Sequence, residues 1–204
     1  GAMLASPPQA CPLTGVAGNA SIAPTGGVPV LEHFHVPEQD AVRIMPEDLR
    51  RTVTDIFLKM NMPRTDAEQA ADVLVMSDVR GVDTHGVSNM LRSYVQRFND
   101  GFINPRPKWR IVRETPATAN IDSDRGLGIV VGPRAMEIAI EKAKKVGVGC
   151  VTIGNGRHMG MIAYYPMQCL KHDMIGYAIT GGGANTVPTF GAVPRLGANP
   201  HAWA

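Results

Sequence analysis

Two histidines flanked by glycines are the residues of this chain best suited to acid–base chemistry. They lie in Asp83-Thr84-His85-Gly86 and in Asn155-Gly156-Arg157-His158-Met159-Gly160. Histidine titrates near neutral pH, so it can give or take a proton in either direction of a reaction. Glycine lets the backbone approach a ligand closely and adopt positive φ, which a solvated loop seldom requires. The pattern favours His85 and His158 as catalytic residues, with packing of one or both rings as the alternative.

Other catalytic arrangements fit these histidines less well. Zinc needs three convergent ligands, and neither site has the H-x-x-x-H or H-x-H spacing that supplies them. Thr84 and Ser88 flank His85, but the chain has no G-x-S-x-G nucleophile elbow. His33 and His35 also lack a third ligand nearby, which favours a short strand or loop. We therefore expect no metal, and metal-dependent hydrolysis is kept only as an alternative.

Composition limits the class of protein. Hydrophobic residues make up 44% of the 204 residues and charged residues 19%, as in a soluble globular protein, and this length suits one sizeable core or one domain plus part of another. A net charge of +2 and 5% aromatic residues give no reason to expect nucleic-acid binding. No apolar stretch approaches the roughly 18 residues of a membrane span, and the amino terminus lacks a signal-peptide pattern. Three cysteines without metal-type spacing favour a reducing, cytoplasmic compartment.

Hydrophobic periodicity predicts the helices that position the first histidine. An apolar stripe over residues 46–60 predicts one helix, and Thr65 with Glu68 forms a capping box for a second. A third helix is predicted over residues 87–99. It places His85 at its amino-terminal edge, where free N–H groups favour an anionic ligand.

Polar side chains on the third predicted helix are candidates for substrate contacts. Arg92 suits a carboxylate, which a guanidinium holds in two parallel hydrogen bonds, although Arg92 or Arg97 could equally lie on the surface. Arg92 lies nearer His85 in the sequence and is the candidate we select. Tyr94 could donate a hydrogen bond to substrate, or pack with its hydroxyl in water.

A predicted β–loop–α–β unit places the second histidine. The predicted elements are, in order, a helix at residues 133–146, a strand at 148–153, a glycine-rich loop at 154–160, a helix near 162–172 and a strand at 175–180. Parallel pairing of the two strands is the default for such a unit. Binding sites of open α/β sheets lie beyond the strand ends, where His158 is expected to project.

Two glycine-rich stretches could bind phosphate. The loop at residues 154–160 departs from G-x-G-x-x-G, because its third glycine is one residue late and the next strand ends without an acidic residue for a ribose. A classical Rossmann site is therefore not expected there. Gly181, Gly182 and Gly183 follow the next strand and could form either an anion-binding nest of backbone N–H groups or a flexible hinge.

These motifs, in this order, resemble the malate/L-lactate dehydrogenase-like oxidoreductases over roughly residues 45–204. The resemblance is carried by residues 80–87, Tyr94, Arg97, residues 155–160, Tyr164-Tyr165, residues 190–191 and residues 197–200. It implies an α/β fold in which amino-terminal helices are followed by a mixed-sheet, non-Rossmann NAD(P)-binding domain. It also implies a homodimer with the active site near the subunit interface.

The resemblance implies a role for each matching residue. His158 matches the acid/base that exchanges a proton with the substrate hydroxyl while hydride passes to or from NAD or NADP. His85 and Tyr94 match residues of the substrate pocket. Cofactor contacts are expected from Gly181, Gly182, Gly183, Asn185 and Asn199. The implied function is the interconversion of a small 2-hydroxy acid and its 2-oxo acid.

The chain also departs from the family pattern. Many members carry an arginine four residues after the first histidine, where this chain has Asn89, so Arg92 is expected to bind the carboxylate, with Asn89 as the alternative. Family chains continue well beyond Ala204, so we expect the fold to be incomplete at its carboxyl end. The alternative function is a catalytically incompetent fragment or subunit that serves as a dimerisation or ligand-binding module. The expected organisation is a flexible extension with a tag scar at residues 1–40, a helical substrate-side segment at 41–122 and the start of the cofactor-binding α/β domain at 123–204.

Overall fold

A computed structural model describes residues 37–204 of the chain. The chain divides into two units, one up to Arg43 and one from Ile44 to Ala204, and each is described by itself. The predictions for His33 and His35, and for most of the extension at residues 1–40, lie outside the described residues.

The first unit contributes a short described segment. A 3-10 turn spans Glu38–Asp40. The Arg43 guanidinium donates to the Glu38 carboxylate at 2.7 Å, and both side chains are exposed. An exposed ion pair of this kind contributes little to stability.

Five α-helices lie within residues 44–204. They are α1 (Pro46–Lys59), α2 (Arg64–Val79), α3 (Val87–Asn99), α4 (Gly128–Val146) and α5 (Tyr164–Leu170). Pro46 opens α1 as predicted, because its missing N–H is not needed in the first turn. The capping box predicted at Thr65 is wrong, since α2 starts after Pro63 without a side-chain cap. Pro133 lies inside α4, which starts earlier than predicted. In the described part of the chain, no helix is both long and apolar enough to cross a membrane.

The strands form two small sheets. They are β1 (Arg110–Glu114), β2 (Thr118–Asp122), β3 (Cys150–Gly154), β4 (Tyr177–Ile179) and β5 (His201–Trp203). β2 lies between antiparallel β1 and parallel β3, which confirms a mixed sheet. β4 pairs antiparallel with β5. The sequence did not predict β1, because every residue of that strand is exposed and it carries no apolar alternation.

The predicted parallel pairing across α5 is wrong. β3 pairs with β2, whereas β4 pairs with β5. A cavity of about 960 Å³ lies between β3 and β4 and is lined by apolar side chains of α4, including Ala139 and Ile140. The helix α5 therefore connects two sheets instead of crossing over one.

The main apolar core packs α1, α2 and α3 against the start of α4. Its buried members are Val53, Phe57, Met62, Ala67, Ala70, Ala71, Val73, Leu74, Tyr94, Ile103, Leu127, Ile129 and Val130. Phe57 and Phe98 meet edge to face with ring centroids 6.3 Å apart, which aligns α1 with α3. Because this core fixes α3, it also fixes the residues at the start of that helix and along its buried face.

Candidate active site

His85 lies in a tight turn between α2 and α3. A 3-10 turn spans Asp83–His85, and the His85 N–H donates to the Val82 carbonyl at 2.9 Å. The Thr84 hydroxyl lies 2.9 Å from His85 Nδ1, so Nε2 is the ring nitrogen left to face a ligand. Gly86 is the N-cap of α3, which confirms that His85 lies at the amino-terminal edge of that helix.

Asp78 on α2 holds this turn against α3. Its Oδ2 accepts a hydrogen bond from the Val87 N–H at 2.9 Å, which satisfies an otherwise free amide in the first turn. The N-cap Gly86 has no side chain to do this, and a Cβ at Gly86 would collide with the Asp78 carboxylate. Burial raises the pKa of the Asp78 carboxyl, against the opposing effect of the Val87 hydrogen bond. Asp78 was not predicted from the sequence, although a glycine at the N-cap of a helix indicates that the cap comes from another residue.

His158 lies in the loop after β3, which packs on the start of α4. Gly160 has a φ of +60°, and a Cβ there would lie 2.6 Å from Ile129 Cγ2. A Cβ at Gly128 would lie 2.6 Å from the carbonyl oxygens of Arg157 and His158. The glycines around His158 thus allow the loop to pack closely on the helix and hold the ring in place.

Two tyrosines of α5 anchor the same region. The buried Tyr165 hydroxyl donates to the Met159 carbonyl, next to His158. The Tyr164 hydroxyl donates to Asp72 Oδ2 at 2.7 Å and ties α5 to α2. Burial raises the pKa of Tyr164 to about 12, so its hydroxyl stays protonated. The short α5 is therefore firmly attached to the helical core.

The two histidines predicted from the sequence lie in one site. Their ring centroids are 5.5 Å apart and their planes differ by 14°, so the imidazoles stack. Stacked imidazoles at this separation resist carrying two positive charges. Within residues 37–204, no group of three or more His, Cys, Asp or Glu side chains is arranged to hold a metal ion.

Tyr94 orients the His158 ring. Its hydroxyl lies 2.7 Å from His158 Nδ1, and the Gly160 N–H donates to the same nitrogen at 3.2 Å. A backbone N–H can only donate, so Nδ1 is an acceptor and the neutral ring carries its proton on Nε2. The Tyr94 hydroxyl must then also donate to Nδ1. Tyr94 is fully buried, and its hydroxyl therefore serves His158 instead of lying open to a substrate.

Burial sets the charge state of this pair. It lowers the pKa of His158 to about 4, with smaller contributions from the positive charges of His85 and Arg97. Burial raises the pKa of Tyr94. At neutral pH the site thus holds a neutral imidazole and a protonated phenol in direct hydrogen-bond contact.

An aromatic ring beside the site contacts two arginines. The Arg157 guanidinium lies 4.2 Å from the Phe102 ring centroid, and the Arg97 guanidinium lies 5.7 Å from it. Arg157 Nε also donates to the Phe102 carbonyl at 2.8 Å. This cluster holds the segment after α3 against the loop that carries His158.

The two residues predicted to bind the substrate carboxylate lie elsewhere on α3. Arg92 precedes Tyr94 by two residues, which turns it by about 200° around the helix, and it is exposed. Asn89 Nδ2 donates to the Thr84 carbonyl at 2.7 Å, so its amide supports the turn that carries His85. The structure thus brings His85, His158 and Tyr94 together but leaves Arg92 on another side of the helix.

The residues predicted to contact a cofactor follow β4 and lie beside residues 197–200. The Gly182 N–H donates to the Ala198 carbonyl at 2.8 Å, and a Cβ at Gly197 would collide with the Gly182 carbonyl. The Gly182 amide is therefore not available to an anion, and the close pairing of the two segments argues against a hinge. The remaining predicted cofactor residues, which are all exposed, are Gly181, Gly183, Asn185 and Asn199.

The cavity between β3 and β4 links this segment to the histidines. Met159, which follows His158, and Gly181 both line it. Its volume of about 960 Å³ lies within the range of sites that hold cofactors. Its lining includes apolar residues of α4 and, at the other end, Thr180 and Gly181.

A second cavity, of about 830 Å³, lies apart from the histidines and is lined by Trp109, Arg134 and Lys142. Arg134 pairs with Asp66, and Lys142 donates to Glu114 at 2.7 Å. The Arg134 and Lys142 charges are therefore engaged within the fold.

The malate/L-lactate dehydrogenase family matches residues 44–204 of this chain. The chain is 43% identical over 157 residues to the L-sulfolactate dehydrogenase of Methanocaldococcus jannaschii, which covers 77% of this chain and 45% of that protein. It is 40% identical over 167 residues to the malate dehydrogenase of Pyrococcus abyssi, which covers 82% of this chain and 46% of that protein. The structure of malate dehydrogenase from Pyrococcus horikoshii OT3 matches with a TM-score of 0.79 and 40% identity, over 83% of this chain and 48% of that one.

The chain spans about half the length of the relatives it matches. The structural match confirms the predicted α/β class and its mixed sheet. All three relatives are named as dehydrogenases.

Proposed function

Because this chain belongs to the malate/L-lactate dehydrogenase family, we propose that it takes part in the NAD(P)-dependent interconversion of a small 2-hydroxy acid and its 2-oxo acid. The observation that carries the proposal is the neutral His158 ring, whose Nδ1 accepts from Tyr94 and Gly160 while it stacks on His85. An imidazole N–H is suited to bind an oxo group and to deliver a proton as that oxygen becomes negative. Relatives named for malate and sulfolactate support this class of substrate.

His158 supplies the proton in the direction of reduction. As hydride adds to the carbonyl carbon, the oxygen takes the Nε2 proton and becomes the hydroxyl. The Tyr94 hydroxyl proton passes to Nδ1 along the 2.7 Å hydrogen bond, so the ring stays neutral. The partly buried ring then takes a proton from solvent at Nε2 while the Nδ1 proton returns to the Tyr94 oxygen, which restores the starting state of both groups, and oxidation follows the same path in reverse.

His85 lines the substrate side of this pair. Its Nδ1 is held by Thr84, so its Nε2 is the nitrogen offered to a ligand. Its stacking on His158 disfavours a second positive charge, which helps to keep His158 neutral. The carboxylate contact predicted for Arg92 or Asn89 is not carried into this proposal, because Arg92 lies on another side of α3 and the Asn89 amide donates to the Thr84 carbonyl.

The nicotinamide cofactor, when bound, gives or takes the hydride. Gly181, Gly183, Asn185 and Asn199 would hold it, supported by the cavity that runs from Met159 to Gly181. Gly182 would not donate a hydrogen bond to the cofactor, because its N–H donates to the Ala198 carbonyl. The proposal covers both NAD and NADP.

The remaining parts of the proposal rest on the family resemblance alone. They are a homodimer with the active site near the subunit interface, a cytoplasmic location and a division into a substrate-side segment at residues 41–122 and a cofactor-binding segment at 123–204. Sedimentation of the chain with and without NAD tests the first of these.

The proposal is tested by following oxidation of NADH and NADPH with three carbonyl compounds. Oxaloacetate and pyruvate are 2-oxo acids, and acetone is a ketone without a carboxylate. We expect oxidation with at least one 2-oxo acid and none with acetone. A chain that is folded by circular dichroism but oxidises neither cofactor with any 2-oxo acid would contradict the proposal.

A further inference from the structure

Arg97 lies on the face of α3 that looks toward His158. It follows Tyr94 by three residues, so the two side chains are about 60° apart around the helix. Tyr94 touches His158, whereas Arg92 is turned by about 200° from Tyr94 and so lies on nearly the opposite side of the helix. Of these two arginines, Arg97 is therefore the one on the side of the catalytic pair.

The contacts of Arg97 leave its charge available. Its guanidinium lies 5.7 Å from the Phe102 ring centroid, which positions it without neutralising it. No ion pair within residues 37–204 involves Arg97, and the residue is exposed.

The neighbouring Arg157 is placed differently. Its guanidinium lies closer to Phe102, at 4.2 Å, and donates to the carbonyl oxygens of Phe102 and Gly156 at 2.8 Å and 3.1 Å. These bonds occupy its planar fork. The Arg157 guanidinium thus holds parts of the fold together. The neighbouring Arg97 guanidinium has no hydrogen-bond acceptor among the described residues.

The positive charge of Arg97 acts directly on the site. It contributes to the lowered pKa of His158, and it opposes the rise in the pKa of Tyr94 that burial causes. The same charge therefore acts on both groups of the pair beside which a substrate oxygen must lie.

We propose that Arg97 binds the carboxylate of the 2-hydroxy or 2-oxo acid. This inference rests on the proposed function, because it places the substrate oxygen at His158. The carboxylate is bonded to the carbon that carries this oxygen, so a substrate held at His158 presents its carboxylate to a nearby cation. A guanidinium holds a carboxylate through two parallel hydrogen bonds, which fixes the orientation of the reacting carbon.

The test measures binding of two probes by the shift of the His158 ring resonances. Lactate carries the carboxylate, and lactamide is its neutral analogue. We expect Arg97→Gln to weaken lactate binding by roughly ten- to a hundredfold and to leave lactamide binding unchanged. The lactate affinity of Arg97→Lys should lie between the affinities of the unaltered chain and of Arg97→Gln. Lysine keeps the positive charge but cannot form the two parallel hydrogen bonds of a guanidinium.

Arg92→Gln is the matched control, since it removes the same charge from the other side of α3. We expect it to leave lactate binding unchanged. Loss of lactate affinity in Arg92→Gln with full affinity in Arg97→Gln would overturn the assignment of the carboxylate to Arg97, but not the proposed function. Absence of any response of His158 to lactate or lactamide in the unaltered chain would overturn the proposed function as well.

Discussion

Acidification should destabilise the fold through His158. Burial lowers the pKa of this imidazole from 6.5 to about 4. In the unfolded chain the ring takes up a proton below about pH 6.5, whereas the folded ring stays neutral until about pH 4. The unfolded state thus binds more protons in this window, so the free energy of unfolding falls as the pH falls through it and levels off below.

The size of the effect follows from the same values. A pKa lowered from 6.5 to about 4 corresponds to a loss of about 3 kcal/mol in the free energy of unfolding at low pH. His158 is only partly buried, so solvent screening reduces this, and we expect about 2 kcal/mol.

Urea unfolding at a series of pH values measures this loss. His158→Gln is the comparison, because glutamine does not titrate, and the carboxylates contribute equally to both chains. The difference in unfolding free energy between the two chains should change by about 2 kcal/mol between neutral pH and about pH 4. Equal pH dependence of both chains, or a His158 ring that titrates near 6.5 by NMR, would refute the reasoning.

Two further substitutions test the contacts around the histidines. Tyr94→Phe removes the hydroxyl that contacts His158 Nδ1, so we expect a fall in kcat of about tenfold or more with little change in KM. A kcat equal to that of the unaltered chain would show that Tyr94 takes no part in the proton transfer. Gly86→Ala forces a methyl group against Asp78, so we expect a loss of about 1–3 kcal/mol in urea unfolding. Gly154→Ala is its control, because the nearest atom to that Cβ lies 3.7 Å away, and equal stability of both variants would contradict the clash.

The sequence predicted the helices well, because helices depend on local patterns, whereas the catalytic roles of His85 and His158 stay predictions. The stripe that predicts α1 and the alanines that α2 buries follow directly from the helical repeat. The glycines near His85 and His158 predicted close approach of the backbone to a neighbouring group. They serve mainly to let Asp78 and α4 approach, which concerns packing more than ligand contact.

Contacts between distant segments could not be predicted in this way. Tyr94 and His158 are 64 residues apart, so their hydrogen bond is visible only once the fold is known. The choice of Arg92 followed closeness along the chain, whereas the direction of a side chain depends on its angle around the helix. The β3–β4 pairing was predicted from a default for strand order, whereas β3 pairs with β2 and β4 pairs with β5, partners that lie far apart along the chain.

The most direct test of the central claim is the reduction assay applied to His158→Gln. In the proposed reaction this ring donates the proton to the substrate oxygen. We expect a loss of about a hundredfold or more in kcat, while NADH or NADPH still binds with unchanged affinity in a fluorescence titration. A His158→Gln chain that reduces the 2-oxo acid at the rate of the unaltered chain would contradict the account.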